Sequence, residues 1–407
     1  MHPEHLTDDT HAPSSKRLLI SNWMSRNVLP IGWIALLTGM FWIWDRALYH
    51  KLYYASLALP CFLILILTPS ALKQLLRNPL ILTFILFAAY TLFSIAWSDT
   101  DNRISSVSKR PLYVLLLLFS AALIALRARH RLLAATEVSA FVATLCAALS
   151  LVYFLYSANP ERFSGYGALY NPLLSAHVYG FFAALWMALW FLHRTPWAPL
   201  PLISLGLLGV LIFLTGSRTP IVALSAALLW LAVICWNKRS LIALGSGGLI
   251  SLAAVITSPP SLTERGLSLR PEIWSETWRQ ILEKPWLGHG YDSAMAIWVD
   301  GVDYAFADPH NIELAILYYG GVIGLLLWSA IYITAFIVAW SRRQQKLALI
   351  GSTLMVFGMT AGLTEGGAFL SRPKEHWFLI WIPMALVVAA WHTPKQGDSS
   401  DAPAEKA

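Results

Sequence analysis

Charge is what this sequence has least of. Lysine, arginine, aspartate and glutamate supply 13% of its 407 residues while 57% are hydrophobic, and a water-soluble chain carries about twice that charged fraction. The shortfall excludes a soluble enzyme, a collagenous chain and a disordered one, and leaves the lipid bilayer as solvent. Cysteine is nearly absent too. Cys61, Cys146 and Cys235 stand far apart, each in or at the end of an apolar run, so no disulfide scaffold, redox motif or metal motif can be drawn and packing is their expected role. There is no glycine-rich phosphate loop, no zinc-spaced His/Cys set and no serine nucleophile elbow. Neither a solenoid-length repeat nor an inverted pair of broken helices of the transporter kind is visible. No metal or other cofactor is therefore expected. Asp99-Thr100-Asp101 has the spacing of a metal-holding aspartate pair, but three residues of common type match by chance.

What is present is a succession of apolar runs, each near the roughly 20 residues that a helical span needs. They begin near Val28, Tyr53, Pro79, Pro111, Ala134, Leu173, Leu200, Pro220, Leu241, Asn311, Leu347 and His376. The expected fold class is all-α, a polytopic membrane protein with about 12 transmembrane helices. The net charge of +7 then reflects topology and contact with anionic membrane lipids, not nucleic acid. A cytoplasmic N-terminus puts Lys16, Arg17, Lys73, Arg77, Arg127, Arg129, Arg131, Arg194, Lys238, Arg239, Arg342, Arg343 and Lys346 inside, as the positive-inside rule requires. Residues 1–27 become a cytoplasmic segment without a removable signal peptide, 28–257 the first nine spans, 258–309 one large periplasmic loop, 310–392 the last three spans, and 393–407 a disordered cytoplasmic tail.

Within the large loop, Pro271 to Lys284 has the pattern of a surface helix, with Pro271 in its first turn, Glu272 and Glu276 near its positive end, and Trp274, Trp278, Ile281 and Leu282 on one face. Two tryptophans on that face suit the headgroup layer. Basic residues on the outer side run against the topology signal, so each needs its own explanation. Arg218, in the turn Thr215-Gly216-Ser217-Arg218, either snorkels to headgroup phosphate or forms an anion site. Arg265 and Arg270 are either solvated, paired with Glu264 or Glu272, or join Arg218 on phosphate oxygens that guanidinium forks match. Ser217 belongs to the same turn.

Asp308-Pro309-His310-Asn311 opens the tenth span. Read as an N-cap followed by a first-turn proline, it places His310 and Asn311 in the first helical turn, where the dipole keeps the imidazole neutral. A polar helix start is the bland alternative; beside three arginines, a general base is the sharper one. His177 is expected to be structurally satisfied or to line a cavity, and His289 to be a turn residue. Glu365, followed by Arg372 and Lys374, either meets a substrate hydroxyl or forms a salt bridge within its loop.

In order along the chain stand Thr215-Gly216-Ser217-Arg218, Arg270 with Ile273-Trp274, Lys284-Pro285-Trp286-Leu287-Gly288-x-Gly290, and His310-Asn311-x-x-Leu314 followed by Gly320-Gly321. This order resembles the bacterial O-antigen ligase and O-antigen polymerase superfamily from about Leu211 to Ile323. The resemblance implies a metal-independent inverting glycosyltransferase of the inner membrane, acting at its periplasmic face. Its donor would be an undecaprenyl-pyrophosphate-linked glycan, and its acceptor lipid A-core in a ligase, another lipid-linked glycan in a polymerase, or a protein in some relatives. Carried over by position, His310 would be the base, and Arg218 with Arg265 or Arg270 would hold the pyrophosphate. Having one long loop instead of two substantial ones favours the ligase. The non-enzyme alternative is a flippase or transporter for lipid-linked oligosaccharide.

Overall fold

A computed structural model describes residues 15–157, 162–193, 195, 197–257 and 269–393. In chain order its helices are α1 (Ser15–Trp23), α2 (Leu29–Trp42), α3 (Arg46–Tyr53), α4 (Leu59–Leu67), α5 (Pro69–Leu75), α6 (Pro79–Phe93), α7 (Ile104–Val107), α8 (Arg110–Tyr156) and α9 (Pro172–Leu192). They continue as α10 (Pro199–Leu214), α11 (Thr219–Ile234), α12 (Lys238–Thr257), α13 (Arg270–Glu283), α14 (Ile312–Ser341), α15 (Lys346–Gly362), α16 (Glu375–Leu379) and α17 (Trp381–Trp391). Among the described residues there is no strand, only one bridge between Ile297 and Phe306.

Five helical stretches are long and apolar enough to cross a membrane: Arg46–Leu67, Pro79–Trp97, Ile104–Tyr156, Pro172–Leu192 and Ile312–Ser341. Pro199–Leu214, Thr219–Ile234, Lys346–Gly362 and Glu375–Trp391 are apolar but shorter. The separate runs expected at Pro111 and Ala134 lie on one long helix, α8, bent where Ala128 leaves helical dihedrals (φ −161°, ψ 61°). Arginines hold the bend in place of a loop. Arg127 donates to the Asn22 side chain, and Arg131 donates to the Arg26 carbonyl at 2.8 Å.

Proline in the first turn starts many helices, because its missing N–H is one that the turn leaves unpaired anyway. Asn78 and Asn171 then cap α6 and α9 by accepting from Leu80 N and from Leu173 and Leu174 N. Helices α9 and α17 are apolar on every side and buried on nearly every side, so they form the centre of the bundle. At the bundle end remote from His310, arginines close helix C-termini. Arg239 donates to the carbonyls of Trp190, Phe191 and His193, and Arg342 donates to that of Thr393.

The decisive irregularity is in α14. Gly321 adopts φ 59° and ψ −163°, which only glycine tolerates, and the break interrupts the helical hydrogen-bond ladder. The segment after α13 pairs with four of the backbone groups there, and the Gly320 carbonyl accepts from the Tyr90 hydroxyl at 2.7 Å. His289 N and Gly290 N donate to the carbonyls of Tyr318 and Tyr319 at 2.8 and 2.9 Å, and Val322 N and Ile323 N donate to those of Pro285 and Trp286 at 2.9 and 3.3 Å. Gly288 (φ 69°) lies so close that a Cβ there would be 2.5 Å from Gly321 N.

The surface helix α13 packs on α14 through Ile273, Thr277 and Ile281, which join Met295, Ile297, Val299 and Tyr318 in a small core. The face expected to carry Trp274, Trp278, Ile281 and Leu282 together is divided: Ile281 is buried and Trp274 packs half-buried on this core, while Trp278 and Leu282 turn outward at 49% and 59% exposure. Thr277 tolerates burial by donating to the Ile273 carbonyl at 2.7 Å.

A side chain at Gly321 has no room, since its Cβ would lie 2.4 Å from the Trp286 carbonyl carbon, whereas a Cβ at Gly206 on α10 meets nothing within 4 Å. Gly321→Ala is expected to cost at least about 1–3 kcal/mol and to lower the thermal midpoint of the detergent-solubilised protein by several degrees. Gly206→Ala should not lower it. Equal midpoints would show that the break is not strained.

Candidate functional site

His310 stands outside any helix. The Asp308 carboxylate accepts the His310 N–H at 2.7 Å, closing a tight turn, and His310 takes a left-handed backbone (φ 51°). The cap of α14 is Asn311, whose Oδ1 accepts from Leu314 N at 2.9 Å while its Nδ2 donates to the Leu363 carbonyl at 2.9 Å. The expected first helical turn with Asp308 as cap is therefore corrected, because Asp308 is occupied by His310 and a left-handed residue cannot continue into a helix. Trp274 of α13 fixes the turn from outside by donating to the Pro309 carbonyl at 3.0 Å.

The His310 imidazole is held below the ordinary histidine range first by burial and then by the Arg270 charge, against Asp308, which pulls it up. Its neutrality thus comes from desolvation rather than from a place in a helix.

Arg270 is the first residue of α13. It donates from Nη2 to Glu365 Oε1 at 2.6 Å and from Nε to the Thr364 carbonyl at 3.0 Å, so among the described residues its carboxylate partner is Glu365, while Glu264 lies outside them. Glu365 is 3% exposed. Burial pushes its carboxyl up to about 7, outweighing the Arg270 cation, and Asp308 adds to the rise. The salt bridge expected within the Glu365 loop reaches instead across to α13.

Arg218 connects to the same place. It precedes α11 and is exposed, and its side chain has no hydrogen bond or ion pair among the described residues. The neighbouring Thr219 hydroxyl lies 2.9 Å from that of Thr364, so two hydroxyls separate the backbone bearing Arg218 from the segment that holds Arg270. Ser217 is buried with an unpartnered Oγ among the described residues. Arg265 lies outside the described residues.

Sequence reasoning passed over Arg162, which donates to the Thr215 carbonyl and lies against Gly216. It also passed over Arg46, paired with buried Glu375, and Arg110, 2.5 Å from Asp292. A signal for all three existed, since each is a basic residue on the side expected to be outer. His177 is buried, with Nδ1 2.8 Å from the Leu173 carbonyl, and is within electrostatic reach of Arg270 and His376. It has no contact with His310. Arg372 is not part of the cluster and meets Ser106 Oγ at 3.4 Å. His289 stacks on Tyr318 at 4.3 Å, and Thr100 donates to Asp292 at 2.8 Å.

Two glycines let the Thr364 segment thread through this cluster. A Cβ on Gly366 (φ 85°) would overlap the His376 ring, and one on Gly367 would lie 2.8 Å from Asp308 Oδ2. The result is an imidazole biased toward its neutral form, a carboxylate beside it and the Arg270 guanidinium on one short segment, with the backbone that bears Arg218 joined to that segment through Thr219. Such a set can accept a proton and bind an anion.

Because burial raises the Glu365 titration and Arg270 restrains it, Arg270→Ala is expected to move the midpoint above about 7. Carboxylate ¹³C NMR on labelled protein reads this, with Glu365→Gln to assign the signal. A midpoint falling toward the ordinary 4.5 would contradict control by burial.

The comparisons with known proteins agree with one another. A family model described as O-antigen ligase matches residues 203–329, the stretch containing Arg218, Arg270, His310 and the Gly321 break. A curated protein of Pseudomonas aeruginosa named O-antigen ligase is 54% identical over 373 residues, covering 92% of each chain. A likeness of that extent spans the bundle as well as the site, and the chain belongs to the O-antigen ligase family.

Proposed function

We propose that this protein is an inner-membrane glycosyltransferase that ligates a glycan carried on undecaprenyl pyrophosphate to lipid A-core at the periplasmic face. About 12 helices would cross the membrane, with residues 258–309 on the outer side. The observation that carries the reading is that Arg270 pairs with Glu365 and Thr364, that Thr364 meets the hydroxyl of Thr219 next to Arg218, and that His310 lies within electrostatic reach of Arg270. The segregation of Arg239 and Arg342 at the other end of the bundle supports the orientation. The family name of the Pseudomonas aeruginosa relative supports the reaction class.

In the proposed step, His310 removes the proton from an acceptor hydroxyl. The oxygen bonds to the anomeric carbon as the bond from that carbon to the pyrophosphate oxygen breaks, and the electron pair leaves on the diphosphate. One displacement inverts the anomeric centre. The leaving charge grows in a site of low dielectric, where the fixed guanidinium groups of Arg218 and Arg270 act strongly, so the reading calls on no metal. Arg265, adjacent in sequence, would reinforce them. Glu365 positions Arg270, Ser217 shapes the Arg218 turn, Asn311 orients His310 by capping α14, and His177 and Arg372 take no direct part. Outward Trp278 and Leu282 of α13 suit a helix in the headgroup layer, beside which a polyprenyl tail could enter from the lipid.

The test is incubation of purified protein with undecaprenyl-pyrophosphate glycan and lipid A-core. The wild type should place glycan on lipid A-core. His310→Ala should lower kcat by about 10²–10⁴-fold with donor binding retained, whereas Arg218→Ala should also weaken donor binding. Chain growth on the donor itself would mark a polymerase, and unimpaired transfer by His310→Ala would remove the proposed base.

A further inference from the structure

A cavity of about 130 Å³ adjoins the His310 turn, walled by Arg110, Tyr291, Asp292, Asp308, Tyr319 and Gly367. One water needs only ~10–15 Å³ on such a measure, so there is room for a single sugar ring.

The charges on its wall decide what fits. Asp292 is fully engaged, by Arg110 at 2.5 Å and by Thr100 and Asn102 at 2.8 Å each, and so Arg110 and Asp292 neutralise each other. Asp308 is different. Its Oδ1 accepts from His310 N, while its Oδ2 accepts no hydrogen bond among the described residues. The wall therefore offers a carboxylate oxygen to a hydroxyl donor. The rings of Tyr291, Tyr319 and Phe369 line the cavity beside it and suit the C–H face of a pyranose. Gly367 keeps the carboxylate accessible, since a Cβ there would approach Oδ2 to 2.8 Å.

We infer that this cavity is the acceptor subsite, holding one neutral pyranose through its hydroxyls to Asp308 Oδ2 and directing a further hydroxyl toward His310. The inference rests on the ligase reading only in taking His310 as the group that deprotonates an acceptor. It divides the site: phosphate on the guanidinium groups of Arg270 and Arg218, acceptor sugar on the Asp308 side.

Ala307 is exposed at the cavity mouth, so Ala307→Trp obstructs it without disturbing the core. Two probes are used on full-length protein, a delipidated core oligosaccharide and an oligosaccharide released from the donor, with binding read by saturation-transfer NMR. Acceptor and donor KM are measured in parallel. The inference expects core oligosaccharide binding to weaken by at least about 10-fold in Ala307→Trp, acceptor KM to rise by a similar factor, and donor KM to stay within about twofold. Wild-type binding of core oligosaccharide by Ala307→Trp, or a rise in donor KM alone, overturns the subsite while leaving the ligase reading intact. Should the donor-derived oligosaccharide bind in a way that Ala307→Trp abolishes while the core does not bind, the subsite stands and the ligase reading falls. If neither binds through the cavity, the subsite is overturned.

Discussion

Backbone groups at the Gly321 break must find partners inside an apolar bundle, where an unpaired amide or carbonyl costs several kcal/mol. The turn from Pro285 to Gly290 pairs with four of them, and with that the chain can fold in few other ways. Docking the turn fixes the end of α13, and α13 in turn carries Arg270 at its first residue and Trp274 against the Pro309 carbonyl. His310 and Arg270 are thus both positioned through one interrupted helix. A straight α14 would have satisfied its own backbone and left α13 held by its Ile273, Thr277 and Ile281 packing without the docked turn.

The electrostatics follow from the same burial. His310 and Glu365 are both biased toward their neutral forms by desolvation, and Arg270 acts on each in the direction its charge requires, lowering both. A single guanidinium therefore keeps the imidazole able to accept a proton and draws the carboxyl toward ionisation. Asp308 opposes Arg270 at both groups. Arg218, without a protein partner among the described residues, keeps its hydrogen-bonding capacity for something outside the chain.

Much of this was legible in sequence. Composition pointed to the solvent, apolar runs to the helices, and the order of Arg218, Arg270 and His310 to the residues whose family motif the chain carries. What the sequence hid was tertiary. The Glu365 partner of Arg270 lies 95 residues away, beyond the reach of local pairing rules. Asp308 and Asn311 are both good caps, and only the left-handed backbone at His310 decides between them. Gly288, Gly290 and Gly321 were visible as letters of a pattern, but their reason is a close approach between two segments that no local rule predicts. The four α13 residues that helical spacing groups on one face are divided by the fold, which buries Ile281 with Ile273 and Thr277 and turns Trp278 and Leu282 outward.

The central claim is spatial: one pocket on one side of the bundle holds both the proton acceptor and the pyrophosphate. Its most direct test is an experimental structure of the protein in a lipid nanodisc with undecaprenyl pyrophosphate bound. The diphosphate should be hydrogen-bonded to Arg218 and Arg270, with its sugar-bearing side facing His310. A diphosphate seated at the opposite end of the bundle, near Arg239 and Arg342, would contradict the account.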